Sequence, residues 1–204
     1  MSQQIKMQVK LVSRPAANAV QEDLILDAAR DLMIDIGIRR TTMAEVARAA
    51  RVSRATLYRR YPNVDAIAAT VVSREFAEVI SDSLSAPIGN YLDAVVTTVV
   101  RIARISRSHP LLRSLVKHDP EFFLPYLLHR PGRTSDTQLR ILTTAIGQGI
   151  TQHSIRDGDP HELAVAVLLT AWSFALTGPV FASADHPEML DTQLTDLLTR
   201  YLAP

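Results

Sequence analysis

Seven arginines stand between residues 39 and 60, at positions 39, 40, 48, 51, 54, 59 and 60, against a single acid, Glu45. A guanidinium is a planar fork of donors that fits phosphate oxygens and the O6/N7 edge of guanine. Thr42, Ser53, Ala55, Thr56 and Tyr58 are interleaved with these cations. They are small, hydroxylated or aromatic groups of the kind that touch base edges and backbone oxygens. The chemistry available to such a cluster is recognition of a polyanion.

The elements that must position these groups are two short helices. Thr42 and Glu45 are spaced as a capping box, each able to satisfy the other's orphan backbone donor. Met43, Val46, Ala47 and Ala50 follow at helical spacing and form one apolar face. Ser53 is placed to cap a second helix, on which Leu57 and Tyr61 share the inward face. Ala55, Thr56, Tyr58 and Arg59 then point away from it. Two such helices read as a helix-turn-helix whose second member enters a major groove. Arg54 and Ala55 begin that member, where side chains meet base edges, and Arg54 could equally contact guanine or phosphate. Thr56 is placed to meet a thymine methyl or a base edge. Tyr58, Arg59 and Arg60 suit backbone positioning, and Thr42 can offer its hydroxyl and a helix N-terminus to phosphate.

This stretch resembles the DNA-binding domain of the tetracycline-repressor (TetR) family, on Gly37, Thr42, Val46-Ala47, Ala50, Val52-Ser53, Thr56-Leu57-Tyr58, Tyr61, Asp65 and Ile67. The match covers about fifty residues; beyond residue 80 the likeness is one of helix layout and length. Two positions depart from the family pattern. Arg51 replaces the turn glycine, so the turn either avoids positive φ or carries a strain on the order of 1 kcal/mol. Val64 stands where the family usually has a lysine at the start of the fourth helix, which puts that phosphate contact in doubt, with Arg59 and Arg60 able to compensate. The resemblance implies a DNA-binding transcriptional regulator acting as a homodimer, typically a repressor released from a near-palindromic operator by a small-molecule effector.

The remainder of the chain is consistent with that expectation. Residues 1–80 carry 12 Lys/Arg and 9 Asp/Glu, net +3, while residues 81–204 carry 10 and 12, net −2. The basic excess lies with the helix-turn-helix. Cysteine is absent, which excludes disulfides and thiolate metal sites. No continuous apolar run marks residues 1–20 as a signal peptide, and a cytoplasmic location without membrane attachment is expected. The expected organisation is all-α: a basic arm at 1–19, mobile or in contact with DNA; a three-helix DNA-binding domain at 20–66; and a helical ligand-binding and dimerisation domain at 67–204. Helix 1 is predicted from Val20 to Ile36, with Leu24, Ala28, Leu32 and Ile36 at four-residue steps and Ile25, Ala29 and Met33 beside them, ending at Gly37 as a left-handed cap. Further helices are predicted at 65–84, 90–107, 111–117, 121–129, 137–155, 161–177 and 187–202, with 131–136 as an exposed loop and Gly178-Pro179 as a terminator. Leu163–Leu176 is apolar nearly all round yet too short to span a bilayer. By the resemblance, 137–155 and 161–177 pair with their copies in the dimer.

Phe122, Phe123, Tyr126, Trp172 and Phe174 are candidates to line an effector pocket, with ordinary core packing as the plainer reading of each. Low aromatic content favours an apolar or acyl-like ligand. The six histidines show no ligand spacing, and no metal or cofactor is expected. Motifs for nucleophilic, phosphate-binding or metal-dependent catalysis are missing, so no catalytic residue is assigned. Two alternatives stand beside the ligand-responsive regulator: one controlled by a protein partner, and a helical binding protein or enzyme whose helix-turn-helix is only structural.

Overall fold

The computed structural model describes residues 17–83, 90–122, 133–182, 186 and 188–204, all of them in helices or their connections. The reader is built from α1 (Ala17–Ile36), α2 (Met43–Ala49), α3 (Arg54–Arg60) and α4 (Val64–Ser83). Then come α5 (Tyr91–Ser108), α6 (Pro110–His118) and a 3₁₀ turn (Pro120–Phe122). The body continues with α7 (Arg133–Thr151), α8 (Pro160–Phe181) and α9 (Met189–Leu202). Of the arm expected at 1–19, residues 17–19 belong to α1 and the rest lie outside the described residues. Phe123, Tyr126 and most of the helix predicted at 121–129 also lie outside them.

The predicted face of α1 needs rotating. Leu24 is 52% exposed, whereas Ile25, Ala29 and Met33 are fully buried. These three are themselves spaced by four, so either row satisfies the period; packing against α4 and α6 selects the second. In α2, Met43, Val46 and Ala47 are buried as expected, and so are Leu57 of α3 and Tyr61 just after it. One core gathers these residues with Ile67, Ala68 and Val71 of α4 and with Leu111 and Leu115 of α6. A second core joins α5 (Val95, Val96, Val99, Val100, Ala103) to Ile146 of α7, Leu163, Ala164 and Val167 of α8, and Leu194, Leu198 and Leu202 of α9.

Three boundaries differ from expectation. Residues 133–136 are helical, since the breaking Pro131-Gly132 pair precedes them and Asp136 favours a helix start. The same helix stops at Thr151, not at 155. The Ser154 amide reaches back to the Gly149 carbonyl (2.9 Å), and Ile155 folds into the body core. At Gly149 a Cβ would stand 2.5 Å from Ile155 Cδ1 and 3.0 Å from Tyr91 Cβ, so the glycine is what admits them. Finally, Gly178-Pro179 does not end α8. A π turn at Ser173–Thr177 widens the backbone just ahead of the proline, and helix resumes over Gly178–Phe181. The continuous helix is therefore 22 residues long, and an 18-residue stretch of it reaches a mean hydropathy of 1.8, long and apolar enough to cross a bilayer by those measures. Inside the chain it buries Leu163, Ala164 and Val167, but leaves Leu169, Val180 and Phe181 at 59%, 78% and 84% exposure.

Candidate nucleic-acid interface

The capping box forms as its spacing requires. The Thr42 amide donates to Glu45 Oε2 (2.9 Å), and the Glu45 amide donates to Thr42 Oγ1 (3.2 Å). The Thr42 hydroxyl also donates to Glu45 Oε2 (2.7 Å), so it is committed within the chain. This hydroxyl, followed by the Thr42 amide, holds the Glu45 carboxyl below its ordinary range. Ser53 Oγ accepts the Thr56 amide (3.0 Å) and lies 2.8 Å from Thr56 Oγ1, so Ser53 builds the tip of α3.

Between α2 and α3, Arg51 adopts φ +54°, the left-handed region that favours glycine. The Val52 amide reaches the Ala47 carbonyl (2.9 Å) and the Arg51 amide reaches the Arg48 carbonyl (3.2 Å). Together these make a Schellman closure with arginine at the left-handed position. The turn thus keeps the geometry a glycine would give it and carries the strain.

On α3, Leu57 plugs the core while Arg54, Ala55, Tyr58 and Arg59 are exposed and Thr56 is half-buried. Arg51, Arg54 and Arg59 make no ion pair among the described residues, leaving three guanidinium groups available on this face. Arg60 is not with them. It is drawn to α1, where Nη1 lies 3.4 Å from Glu22 Oε2 and Nη2 lies 3.4 Å from Gln21 Oε1. Beside it the Tyr61 hydroxyl donates to Glu22 Oε1 (3.1 Å). Burial first, then that hydrogen bond, pushes the Tyr61 phenol up to about 12. Arg60 and Tyr61 therefore fasten α3 to α1, which a reading of α3 alone could not show. Val64 packs against the reader core. Arg39 pairs with Glu121, and Arg40 Nε donates to the Ile36 carbonyl (2.7 Å).

Of the effector candidates, the three among the described residues lie in different surroundings. Phe122 packs against the reader core, Phe174 against the body core, and Trp172 Nε1 donates to Gln138 Oε1 (3.4 Å). A small recess of about 10 Å³, room for little more than one water, lies where α4, α5 and α6 meet, among Phe76, Val79, Leu111, Leu112 and Leu115. Glu75, Ser106 and His109 border it, with His109 Nε2 3.4 Å from Glu75 Oε2. Phe76 and Glu75 stand outside the residues singled out in the sequence; the nearest signal there is the His109-Pro110 break.

Residues 25–71 match the family model described as bacterial regulatory proteins, tetR family. A helix-turn-helix-type transcriptional regulator of Mycobacterium tuberculosis strain H37Rv is 34% identical over 179 residues, covering 87% of this chain and 92% of that protein. The helix-turn-helix-type regulator AlkX of the same organism is 26% identical over 202 residues, covering 91% and 87%. Among solved structures, the R. erythropolis repressor QsdR superposes with a TM-score of 0.64 at 20% identity, covering 90% of this chain and 95% of that one.

Proposed function

Because the chain belongs to the tetR family of bacterial regulatory proteins, and so is a DNA-binding transcriptional regulator and not an enzyme, we propose that it reads a near-palindromic operator as a homodimer and releases it on binding a small molecule. The observation that carries this reading is the outward face of α3, with Leu57 buried behind it and Arg54, Ala55, Tyr58 and Arg59 exposed. Arg54, Ala55 and Thr56 face base edges, and Arg51, Tyr58 and Arg59 hold the backbone. Thr42 and Ser53 act by shaping the helix starts, and Arg60 by tying α3 to α1.

The uncovered apolar side of α8 supports the dimer. A helix this apolar, with Leu169 standing 59% exposed, requires a second hydrophobic surface. We assign that surface to α7 and α8 of a second copy, not to lipid, and place the protein in the cytoplasm with its DNA. Two-fold symmetry then sets two α3 helices against half-sites one helical turn apart or more, about 34–36 Å or its multiples. An apolar effector entering the body would favour one spacing of the two heads, and by reciprocity operator DNA would weaken its binding.

Footprinting on DNA around its own gene, across a salt series, tests the reading. A protected near-palindrome whose affinity falls steeply with salt is the expected result. Binding without a preferred sequence, on that DNA and after selection from random duplexes, would reject it.

A further inference from the structure

The end of α1 is completed by a distant part of the chain. After a left-handed residue, the following amide normally closes back onto the helix, as Val52 does for α2 and Ser154 for α7. At the end of α1, Gly37 is left-handed (φ +84°) and its amide donates to the Met33 carbonyl (3.1 Å), but the next amide turns elsewhere. The Ile38 amide donates to Asp119 Oδ2 (2.7 Å) and the Arg39 amide to Asp119 Oδ1 (3.1 Å). α6 adds a donor to the last turn of α1: the Ser114 hydroxyl donates to the Met33 carbonyl (2.8 Å), which the Gly37 amide also reaches, and lies 3.0 Å from that of Ile34.

The fit is close. Asp119 is only 2% exposed, and a Cβ on Gly37 would stand 2.6 Å from its Oδ2. Leu111 and Leu115 carry α6 into the reader core, and Glu121 pairs with Arg39. The connection so held, residues 37–42, is short and internally tied: the Thr41 hydroxyl donates to the Gly37 carbonyl (2.7 Å), and Thr42 starts α2. Wherever Asp119 stands, the start of α2 follows, and α3 with it.

We propose that Asp119, supported by Ser114, is a positioning residue for DNA recognition. The working DNA reader is thus a discontinuous unit of α1–α4 with residues 110–122, rather than a stretch that ends near residue 66. The proposal rests on the DNA-reading role of α3 and adds the part that sets its geometry.

Asp119→Asn keeps the side-chain volume and removes one of the two acceptors. The full-length variant would be compared with wild type on two duplexes of equal length: the operator found by footprinting or selection, and a scrambled version. Operator affinity is expected to fall about tenfold or more, because a buried amide loses its carboxylate. Affinity for scrambled DNA, the salt slope and dimerisation are expected to stay within about twofold, since no phosphate contact is touched. The amide resonances of Ile38 and Arg39 should move. A folded, dimeric variant with operator affinity within about twofold of wild type would overturn the proposal, as would equal losses on both duplexes. Should Asp119→Asn fail to fold, Ser114→Ala decides, with a fall in the operator-to-scrambled ratio in favour and an unchanged ratio against. Wild type without any operator preference would count against the DNA-reading role itself, which the same titration shows separately.

Discussion

Glycine at position 51 separates a backbone effect from a DNA effect at one residue. Arg51 and His153 both sit at φ +54° in closures of the same kind, one on the proposed DNA face and one at the far end of α7. A side chain in that region costs roughly 1–2 kcal/mol, while glycine gives back about 0.4–1 kcal/mol through the freer unfolded chain. Either substitution is therefore expected to stabilise the protein by about 0.5–1 kcal/mol. For a chain of 204 residues that raises the melting midpoint by roughly 1–4 °C at fixed protein concentration. Their effects on DNA should diverge. Arg51→Gly removes one proposed phosphate contact per head, so a dimer's plot of log affinity against log salt should flatten by about 2. The loss should be similar on operator and scrambled duplexes. His153→Gly should raise the midpoint and leave both titrations alone. A salt slope unchanged in Arg51→Gly would refute its phosphate role, and a lowered midpoint in both variants would refute the strain argument.

Arg54→Ala is expected to cost about 1–3 kcal/mol of discrimination per head if the guanidinium meets a guanine, read as a fall in operator affinity with little change on scrambled DNA. Equal losses on both duplexes would make it a phosphate contact. Arg60→Ala, by contrast, should lower thermal stability without altering the salt slope; a flattened slope would return Arg60 to the DNA face. Gly149→Ala should destabilise by about 1–3 kcal/mol in urea titrations, because its Cβ would overlap Ile155 and press on Tyr91; an unchanged midpoint would show that those side chains give way freely. The Tyr61 phenol, raised to about 12 from an ordinary value near 10, holds its proton more tightly in the folded state. Its share of stability is intact below pH 10 and is lost as pH rises from 10 towards 12, a decline that Tyr61→Phe should lessen in urea titrations at stepped pH.

The helix-turn-helix was legible because its signals are local. The Thr42–Glu45 box, the Ser53 cap and the apolar positions of α2 and α3 all act within one or two turns, and each appears in the structure as its spacing predicts. What escaped depends on partners far along the chain. Nothing near Arg60 announces that Gln21 and Glu22 draw it aside. Nothing near Gly37 announces Asp119. On α1, two apolar rows fit the same period, and only packing decided that Leu24 lies outside. The Gly178-Pro179 pair was a sound stop signal by composition, but a π turn lets the helix pass it, and composition carries no sign of that. The surroundings of the candidate pocket aromatics were least legible, since aromatic residues scattered among helices reveal their neighbours only once the helices are packed.

The hydrogen bond from Ile38 to Asp119 spans 81 positions of sequence. During synthesis at roughly 5–20 residues per second, the α1–α2 turn waits about 4–16 s for its acceptor to be made. Over that interval the two reading helices can wind, because their caps are their own, but the joint that sets them relative to α1 stays open. A nascent chain would therefore carry the arginines of a DNA reader before it has the geometry of one. If Asp119 positions the reader as proposed, sequence-specific binding comes only after α6 has left the ribosome and docked.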